Sequence, residues 1–585
     1  YLLRTFYEDT SDDDAFEGYQ DRLEAVNRRV ALLARYAPKR LHELRNERAR
    51  ELEEEEYGEF NPGTAIDWKE RLDGVNHRIL KWGLRQAAEE HIESAGWKPL
   101  LMGGLEAVKL FSTTHDLART FPSLSDSAAV DRWVSHIDAE MAALKATRPS
   151  DVDRWTLNRI LDDLIVLNRD TLNLPREVIY REFGDGAMSE LDVYSEIIWP
   201  DELRRFEQAT QGNFVGVGIL IRHNDKREIM VVNPLEGSPA YFGGIKPEDV
   251  IVKVGDESTV GWSLNDAVDR ITGPEGTVIE LWVRRDGVEE PIRVPLEREV
   301  IKIRSVKGWE KLDLADDGEP VWDWMIDPHS RIAYIKLTQF TEDSFNDLRK
   351  AWLEMTVEGK PQGLILDLRH NPGGLLTSAV RISNLFVDKP VNIVSGEDKD
   401  GHSVWARRAD PRGGLFADVP TVVLINRGSA SASEIVAGCL QAHGVAVVVG
   451  ERTFGKGSVQ TIHGISQDSR LKLTTQYYRL PSPDGGKSPG RLVHKRPGAS
   501  VWGVDPDIEV PMSATQVVDA ITLRQKAELI PLDDAEDAEA DDEEQIDIND
   551  LLTKGIDPQL ETALLILRAQ AMTEPTVQHA LRDAG

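Results

Sequence analysis

The residues best placed for chemistry are the serines of Gly428-Ser-Ala-Ser-Ala-Ser-Glu434 and the lysine of Thr453-Phe-Gly-Lys-Gly457. An apolar strand over residues 422–425 meets a glycine turn and then a helix that starts among the serines. A helix start leaves N–H groups without partners and its dipole favours negative charge. A serine hydroxyl at that corner is therefore placed to attack a carbonyl and have the resulting oxyanion stabilised. Ser429, Ser431 and Ser433 all compete for the role, and Ser431-Ala-Ser-Glu434 reads equally well as a capping box. Lys456 follows the apolar strand 445–449 between two glycines, a setting that desolvates its amine and lowers its pKa. A neutral lysine takes a serine's proton; a solvated turn lysine, the rival reading, does not.

A third segment, Leu364-Ile-Leu-Asp-Leu-Arg-His-Asn-Pro-Gly-Gly-Leu-Leu376, ends an apolar strand in a polar turn and a glycine pair. Backbone N–H groups of Gly373 and Gly374 are candidates to complete an oxyanion hole, with Asp367 and Arg369 bracing the turn. Glycine needed only for strand-to-helix geometry explains the pair as well.

Other chemistries meet obstacles. Gly450 to Lys456 fits seven positions of the phosphate-binding pattern GxxxxGK[ST], but position 457 is glycine and the sequence after it reads as strand, where a phosphate site needs a helix. His443 lies twelve residues after Ser431 at the far end of the same helix, too distant for a triad, whereas His370 beside the glycine pair stays open. Neither HExxH nor a Cys/His cluster with metal-ligand spacing occurs, so no metal site and no cofactor are expected.

Sixty-nine basic against 101 acidic residues leave a net charge of −32, which argues against nucleic acid or an anionic membrane surface as partner. Across 585 residues, a hydrophobic fraction of 41% supports several cored domains, yet no window approaches the roughly 18 to 20 apolar residues of a membrane span. The chain starts at Tyr1 without methionine, so a trimmed signal or anchor stays compatible with it. Cys439, the single cysteine, rules out an internal disulfide framework and is expected to pack as a small apolar residue.

The elements that must position these residues divide into four stretches. Residues 1–212 read as an N-terminal helical domain, with Trp68, Trp82, Trp97, Trp133 and Trp155 as core residues and Ser150 capping a helix. Residues 213–299 change to β-branched segments broken by Gly and Pro, with a Gly216-Val-Gly-Ile219 loop, a Gly237-Ser-Pro-Ala240 turn and a Gly255-Asp256 hairpin. This order resembles a PDZ domain of the bacterial type. The resemblance implies a groove between the strand after Gly218 and a helix bearing Leu264, Val268 and Ile271. A peptide would add there as a strand, its carboxylate held by N–H groups around Gly216, Val217, Gly218 and Ile219. Residues 300–520 alternate strand and helix as an α/β core, with strands at 332–337, 363–368, 421–425 and 445–449 and a later strand at 471–478 added as an edge. Residues 521–585 read as a helical tail interrupted by an acidic linker over 533–550 that lacks Lys and Arg.

Taken together, the PDZ-like stretch, 364–376, Gly428-Ser-Ala-Ser-Ala-Ser-Glu-Ile435, 447–460 and the late Gly503-Val-Asp-Pro-Asp-Ile-Glu-Val-Pro511 resemble, in order, the tail-specific or carboxy-terminal processing proteases of the S41 serine peptidase family. The resemblance implies an α+β multidomain protein with a crotonase-like ββα protease core. It implies a serine endopeptidase that recognises the C-terminus of protein substrates through the PDZ domain and works by a Ser/Lys dyad through an acyl-enzyme. Family spacing, 25 residues from serine to lysine, selects Ser431 with Lys456. Gln460 would orient the lysine amine, and Ala432 with the Gly373/Gly374 turn would form the oxyanion hole. Two departures stand out: Ala442 replaces an acidic residue common in relatives, and Leu191-Asp-Val-Tyr-Ser195 lacks the family's Asp-Pro. Implied partners are polypeptides with apolar C-termini, with room for an adaptor protein, and the implied location is the bacterial periplasm or cell envelope. The helical flanks carry no pattern that sets an oligomeric state. A catalytically silent PDZ scaffold would have lost Ser431 or Lys456, and neither is lost.

Overall fold

The computed structural model describes residues 13–582 except 54–55, 57–59, 61–66, 94–95, 212, 225, 236, 303, 316–318, 483–489, 497 and 528–546. Of the acidic stretch 533–550, residues 533–546 lie outside the described residues, and Asp550 opens a short helix.

The first part of the chain is a helical assembly around one large apolar cluster, including Leu80, Leu101, Phe111, Trp133, Leu161 and Phe183. Trp133 is fully buried as expected, whereas Trp155 is 63% exposed with the Arg154 guanidinium over its ring. The cap of that helix is Asp153, which accepts from the N–H groups of Trp155 and Thr156 at 3.0 Å. The expected cap, Ser150, lies one turn earlier in a separate short 3₁₀ helix.

Glu196–Ile198 leaves this assembly and pairs antiparallel with Arg470–Leu480. That long strand is not the edge expected from its sequence. It is the centre of a second sheet, flanked also by Asn392–Glu397, Ser458–Gly464 and Arg491–Leu492. Leu471 and Leu473 project into the helical cluster, so one strand ties the N-terminal helices to the segment carrying Lys456.

Residues 217–296 enclose their own small core around Val231, Ile251, Trp262, Leu281 and Val283. Five strands run in the order Ile219–His223, Ile229–Pro234, Val250–Val254, Val278–Arg284 and Ile292–Glu297. Ile219–His223 is an outer strand of this sheet, and Leu264–Ile271 packs beside it, its start fixed by a Ser263/Asp266 capping box.

The main sheet of residues 300–520 runs Val306–Lys307, Ile332–Leu337, Gly363–Asp367, Thr421–Ile425, Ala446–Gly450 and Ile508–Glu509. The strands from Ile332–Leu337 to Ile508–Glu509 pair in parallel. Every residue of Gly363–Asp367 and Thr421–Ile425 is buried, as a parallel strand covered on both faces must be. Val422, Val423, Leu424 and Ile425 each contribute about 1.5–3 kcal/mol by leaving water. Ser344–Met355, Leu376–Ser383 and Ala432–Ala442 cover one face. The second face, with Ile365, Val422, Leu424 and Val449, is covered by Ile548, Leu551, Leu560, Leu564 and Leu567 from the end of the chain.

Candidate active site

Thr421–Ile425 ends at Asn426, and the chain reverses before entering the Ala432–Ala442 helix. The three serines at this corner have different surroundings. Ser429 is fully buried; its hydroxyl accepts from the Asn426 N–H at 3.0 Å and donates to the Leu368 carbonyl at 2.8 Å. Ser433 is also fully buried and donates to the Asn371 carbonyl at 2.9 Å. Ser431 alone of the three keeps solvent exposure. It sits at φ 56° and ψ −113°, a conformation that costs a non-glycine residue about 1–3 kcal/mol.

What holds Ser431 in that conformation is a buried carboxylate. Glu434 accepts the Ser431 N–H at 2.7 Å and the Lys456 N–H at 2.9 Å on one oxygen. Its other oxygen accepts the Gly455 N–H at 2.8 Å and the Thr453 hydroxyl at 2.6 Å. Glu434 is completely buried, and that burial pushes its carboxyl above the usual range while the Thr453 hydroxyl and the three N–H donors pull it back. The capping box expected from sequence is therefore present, but its glutamate also clamps the lysine segment. A second bridge comes from Tyr478, whose hydroxyl donates to the Lys456 carbonyl at 2.7 Å and the Ser431 carbonyl at 3.0 Å. The backbones of Ser431 and Lys456 are thus tied together twice.

The Lys456 ammonium lies 4.4 Å from the centre of the Tyr194 ring, a cation–π contact supplied by the N-terminal part of the chain. Burial, reinforced by Lys472, lowers the Lys456 pKa below the ordinary lysine value, against opposing effects of Asp192 and Glu434. Gln460 does not reach this amine; its side-chain N–H groups donate to the hydroxyls of Ser458 at 2.9 Å and Thr474 at 3.2 Å.

The glycine pair abuts the serine. A Cβ on Gly373, which has φ +100°, would stand 2.7 Å from the Ser431 Cβ and 2.6 Å from the Ala430 carbonyl oxygen. Asn371 joins the two segments: it is fully buried, its carbonyl accepts from Ala430 at 3.0 Å and from Ser433, and its side-chain oxygen accepts the Gly373 N–H at 2.9 Å. The Gly373 N–H is therefore already engaged. Those of Gly374 and Ala432 donate to no acceptor among the described residues.

The rival chemistries fare as their local geometry requires. His370 is bonded to Asn426, ring nitrogen to amide nitrogen at 2.8 Å, and His443 caps the far end of the helix with its ring on the Asn392 carbonyl at 2.7 Å. After Lys456 comes the strand Ser458–Gly464, not the helix a phosphate loop needs. Arg369 braces its turn by pairing with Asp367 at 2.7 Å and also reaches Asp557 at 2.8 Å.

In the smaller domain Gly218 has φ +73°, and a Cβ there would collide with Ser238, so only glycine keeps this loop in place. Among the described residues no acceptor takes the N–H of Val217 or Gly218. Leu264 and Val268 keep solvent exposure beside the outer strand, while Ile271 is 4% exposed and belongs to the core. Gly216 ends the strand Asn213–Gly216, and Ile219 starts the outer strand, with Gly218 between them.

Asn371, Glu434, Tyr194 and Tyr478 are site residues that sequence reasoning missed. Glu434 was signalled as half of a capping box, and Tyr194 stood in the segment that departs from the family's Asp-Pro; nothing local marked Tyr478.

The family model for "Peptidase family S41" matches residues 331–510, and that for "PDZ domain" matches residues 206–284. A carboxy-terminal-processing protease of Bartonella bacilliformis is 37% identical over 302 residues, covering 51% of this chain and 64% of that protein. A Staphylococcus aureus protein named "Probable CtpA-like serine protease" is 32% identical over 373 residues, covering 63% of this chain and 68% of the relative. The match thus spans about two thirds of these relatives' length. The solved photosystem II D1 C-terminal processing protease aligns at 23% identity and TM-score 0.36, covering 74% of this chain and 94% of that one. No helix among the described residues is long and apolar enough to cross a membrane. From the matched core and these relatives, the chain belongs to peptidase family S41 and carries a PDZ domain ahead of its protease core.

Proposed function

We propose that this protein is a serine endopeptidase that captures the C-terminus of a polypeptide in its PDZ groove and cleaves the chain at Ser431 with Lys456 as base. The observation that carries the reading is the double tie between the Ser431 and Lys456 backbones through Glu434 and Tyr478, with Gly373 packed against the serine.

The Ser431 hydroxyl attacks the scissile carbonyl and its proton passes to the neutral Lys456 amine. Ala432 and Gly374, whose N–H groups are open, stabilise the oxyanion. The Lys456 ammonium then gives its proton to the departing amine, leaving an acyl ester on Ser431. Water attacks the ester, Lys456 takes the water's proton and returns it to the serine oxygen, and the new carboxylate leaves. Side chains and water carry every proton, and the scheme uses no cofactor. For the first step Lys456 must leave the face of Tyr194, and Gln460 must leave Ser458 and Thr474 if it is to hold the amine. The observed contacts fit a resting arrangement that peptide binding remodels. A location in the bacterial periplasm or cell envelope goes with this reading.

The test is cleavage of an unfolded polypeptide ending in apolar residues, without ATP or added metal. Ser431→Ala and Lys456→Ala should each abolish cleavage while leaving peptide binding intact. Retained activity in either variant overturns the dyad, and binding without cleavage by the unmodified protein overturns the enzyme reading.

A further inference from the structure

At the His223 end of the PDZ domain's outer strand lies a cleft of about 920 Å³ that no step of the proposed reaction uses. One wall is the Pro38–Glu51 helix with Arg45; the other is the PDZ domain with His223, Lys226, Arg227, Arg284 and Trp262. Two carboxylates line it, and both are already paired: Glu228 with Arg284 at 2.8 Å, and Glu56 with Arg50 at 3.4 Å. Among the described residues neither Arg45 nor Lys226 forms an ion pair within 4 Å, although the Lys226 charge also acts on Glu228. In a chain of net charge −32, a cleft whose four Arg and Lys side chains outnumber its two carboxylates runs against the average of the surface.

The groove's direction leads into this cleft. A peptide carboxylate held at Val217 to Ile219 lies at the start of the outer strand Ile219–His223. A peptide pairing with that strand runs antiparallel to it, so its upstream residues advance toward His223. Four strand steps at about 3.3 Å each bring roughly the fifth residue from the peptide's end to His223. His223 is held there by a 3.0 Å hydrogen bond between its ring and the Trp262 carbonyl, at the mouth of the cleft.

We infer that this cleft is an upstream specificity site, which binds acidic residues about five to nine positions before the apolar C-terminus of a substrate. The inference rests on the peptide-groove reading of the PDZ domain. Arg45 and Lys226 carry the selection, because neither is locked in an ion pair among the described residues and Glu228, the carboxylate that Lys226 acts on, is bonded to Arg284. Apolar C-termini are common among unfolded polypeptides, and the cleft adds a second criterion that separates them by charge.

Fluorescence anisotropy on the full chain carrying Ser431→Ala tests this with labelled twelve-residue peptides that share one apolar ending. Positions five to nine from the end hold Asp/Glu, Ser/Gly or Lys/Arg. The acidic peptide should bind about 5- to 20-fold tighter than the neutral one at low salt, and the advantage should shrink as ionic strength rises. Arg45→Glu with Lys226→Glu should erase or invert the order while leaving the neutral peptide's affinity unchanged, which also shows that the groove is intact. Equal affinities in the unmodified protein, or an acidic advantage that survives the double reversal, overturns the site. If the neutral peptide also fails to bind, the groove reading itself fails and the upstream site with it.

Discussion

In the proposed function the corner at Ser431 and the loop at Val217 to Ile219 both receive polypeptide, and they are built in opposite ways. At the corner, one buried carboxylate and one buried phenol satisfy backbone groups of both Ser431 and Lys456, and Asn371 pins the facing turn. In the loop, the N–H groups of Val217 and Gly218 and one edge of the outer strand are left without partners among the described residues. Attack on a carbonyl needs reacting atoms held in place before substrate arrives, whereas capture of a chain end needs hydrogen-bonding capacity kept unspent. The same backbone chemistry is closed in one place and open in the other.

Removing the central carboxylate is the strongest way to break this contrast. Glu434→Ala strands four donors, two of them in fully buried bonds, so chemical denaturation should register a loss of about 3–5 kcal/mol, with cleavage abolished. Glu434→Gln should still cost about 2–3 kcal/mol, because each carboxylate oxygen accepts two bonds and an amide NH₂ in either place would face a backbone donor. Tyr478→Phe keeps the ring and deletes only the bridge; a loss of about 1–2 kcal/mol is expected, together with a fall in kcat that peptide affinity does not share. On the open side, Val268→Asp should raise KM about tenfold by placing a charge in the apolar groove, with kcat and thermal stability unchanged. If kcat falls as well, the groove is coupled to the corner and the contrast is less sharp than drawn.

The smallest effect concerns the lysine. Burial lowers its pKa in the folded state relative to the unfolded chain, so the folded state binds fewer protons between the two values and stability rises with pH across that window. Lys456→Met should therefore be slightly more stable than the unmodified protein at neutral pH, measured by denaturation. Cleavage by the unmodified enzyme should increase with pH as the amine loses its proton, with a midpoint below the ordinary lysine value. A midpoint at the ordinary value would remove burial as the source of the base.

Much of the corner could be read from local pattern. The strand, the turn, the helix start and the Ser431/Glu434 box follow from apolar runs and cap spacing within some fifteen residues. Family spacing favoured Ser431, and the structure adds a separate reason: Ser429 and Ser433 are committed to carbonyls of Leu368 and Asn371, more than sixty residues away in sequence. Such partners leave no local trace. Tyr194 and Tyr478 were hidden for the same reason, since an aromatic residue reads as core until its neighbours across the chain are known. Residues 471–478 read as an edge because period-two alternation reports a covered face and says nothing about how many strands flank it. Trp155 shows the converse: hydrophobicity alone did not reveal that its helix face looks outward.

The late segment that seals the second face of the main sheet has a consequence for when the Ser431 corner can be completed. Ile548, Leu551, Leu560 and Leu567 cover Ile365, Val422 and Leu424, and Asp557 completes the pairing of Arg369 beside the glycine turn. All of them are synthesised after Ser431, Lys456 and the PDZ domain. A ribosome-bound chain that has already made Ser431 and Lys456 still carries an uncovered apolar sheet and an incompletely paired arginine, so completion of the fold around that corner waits for this late segment. On the proposed function, the order of the sequence thereby works as a delay, separating the making of the serine–lysine corner from its completion.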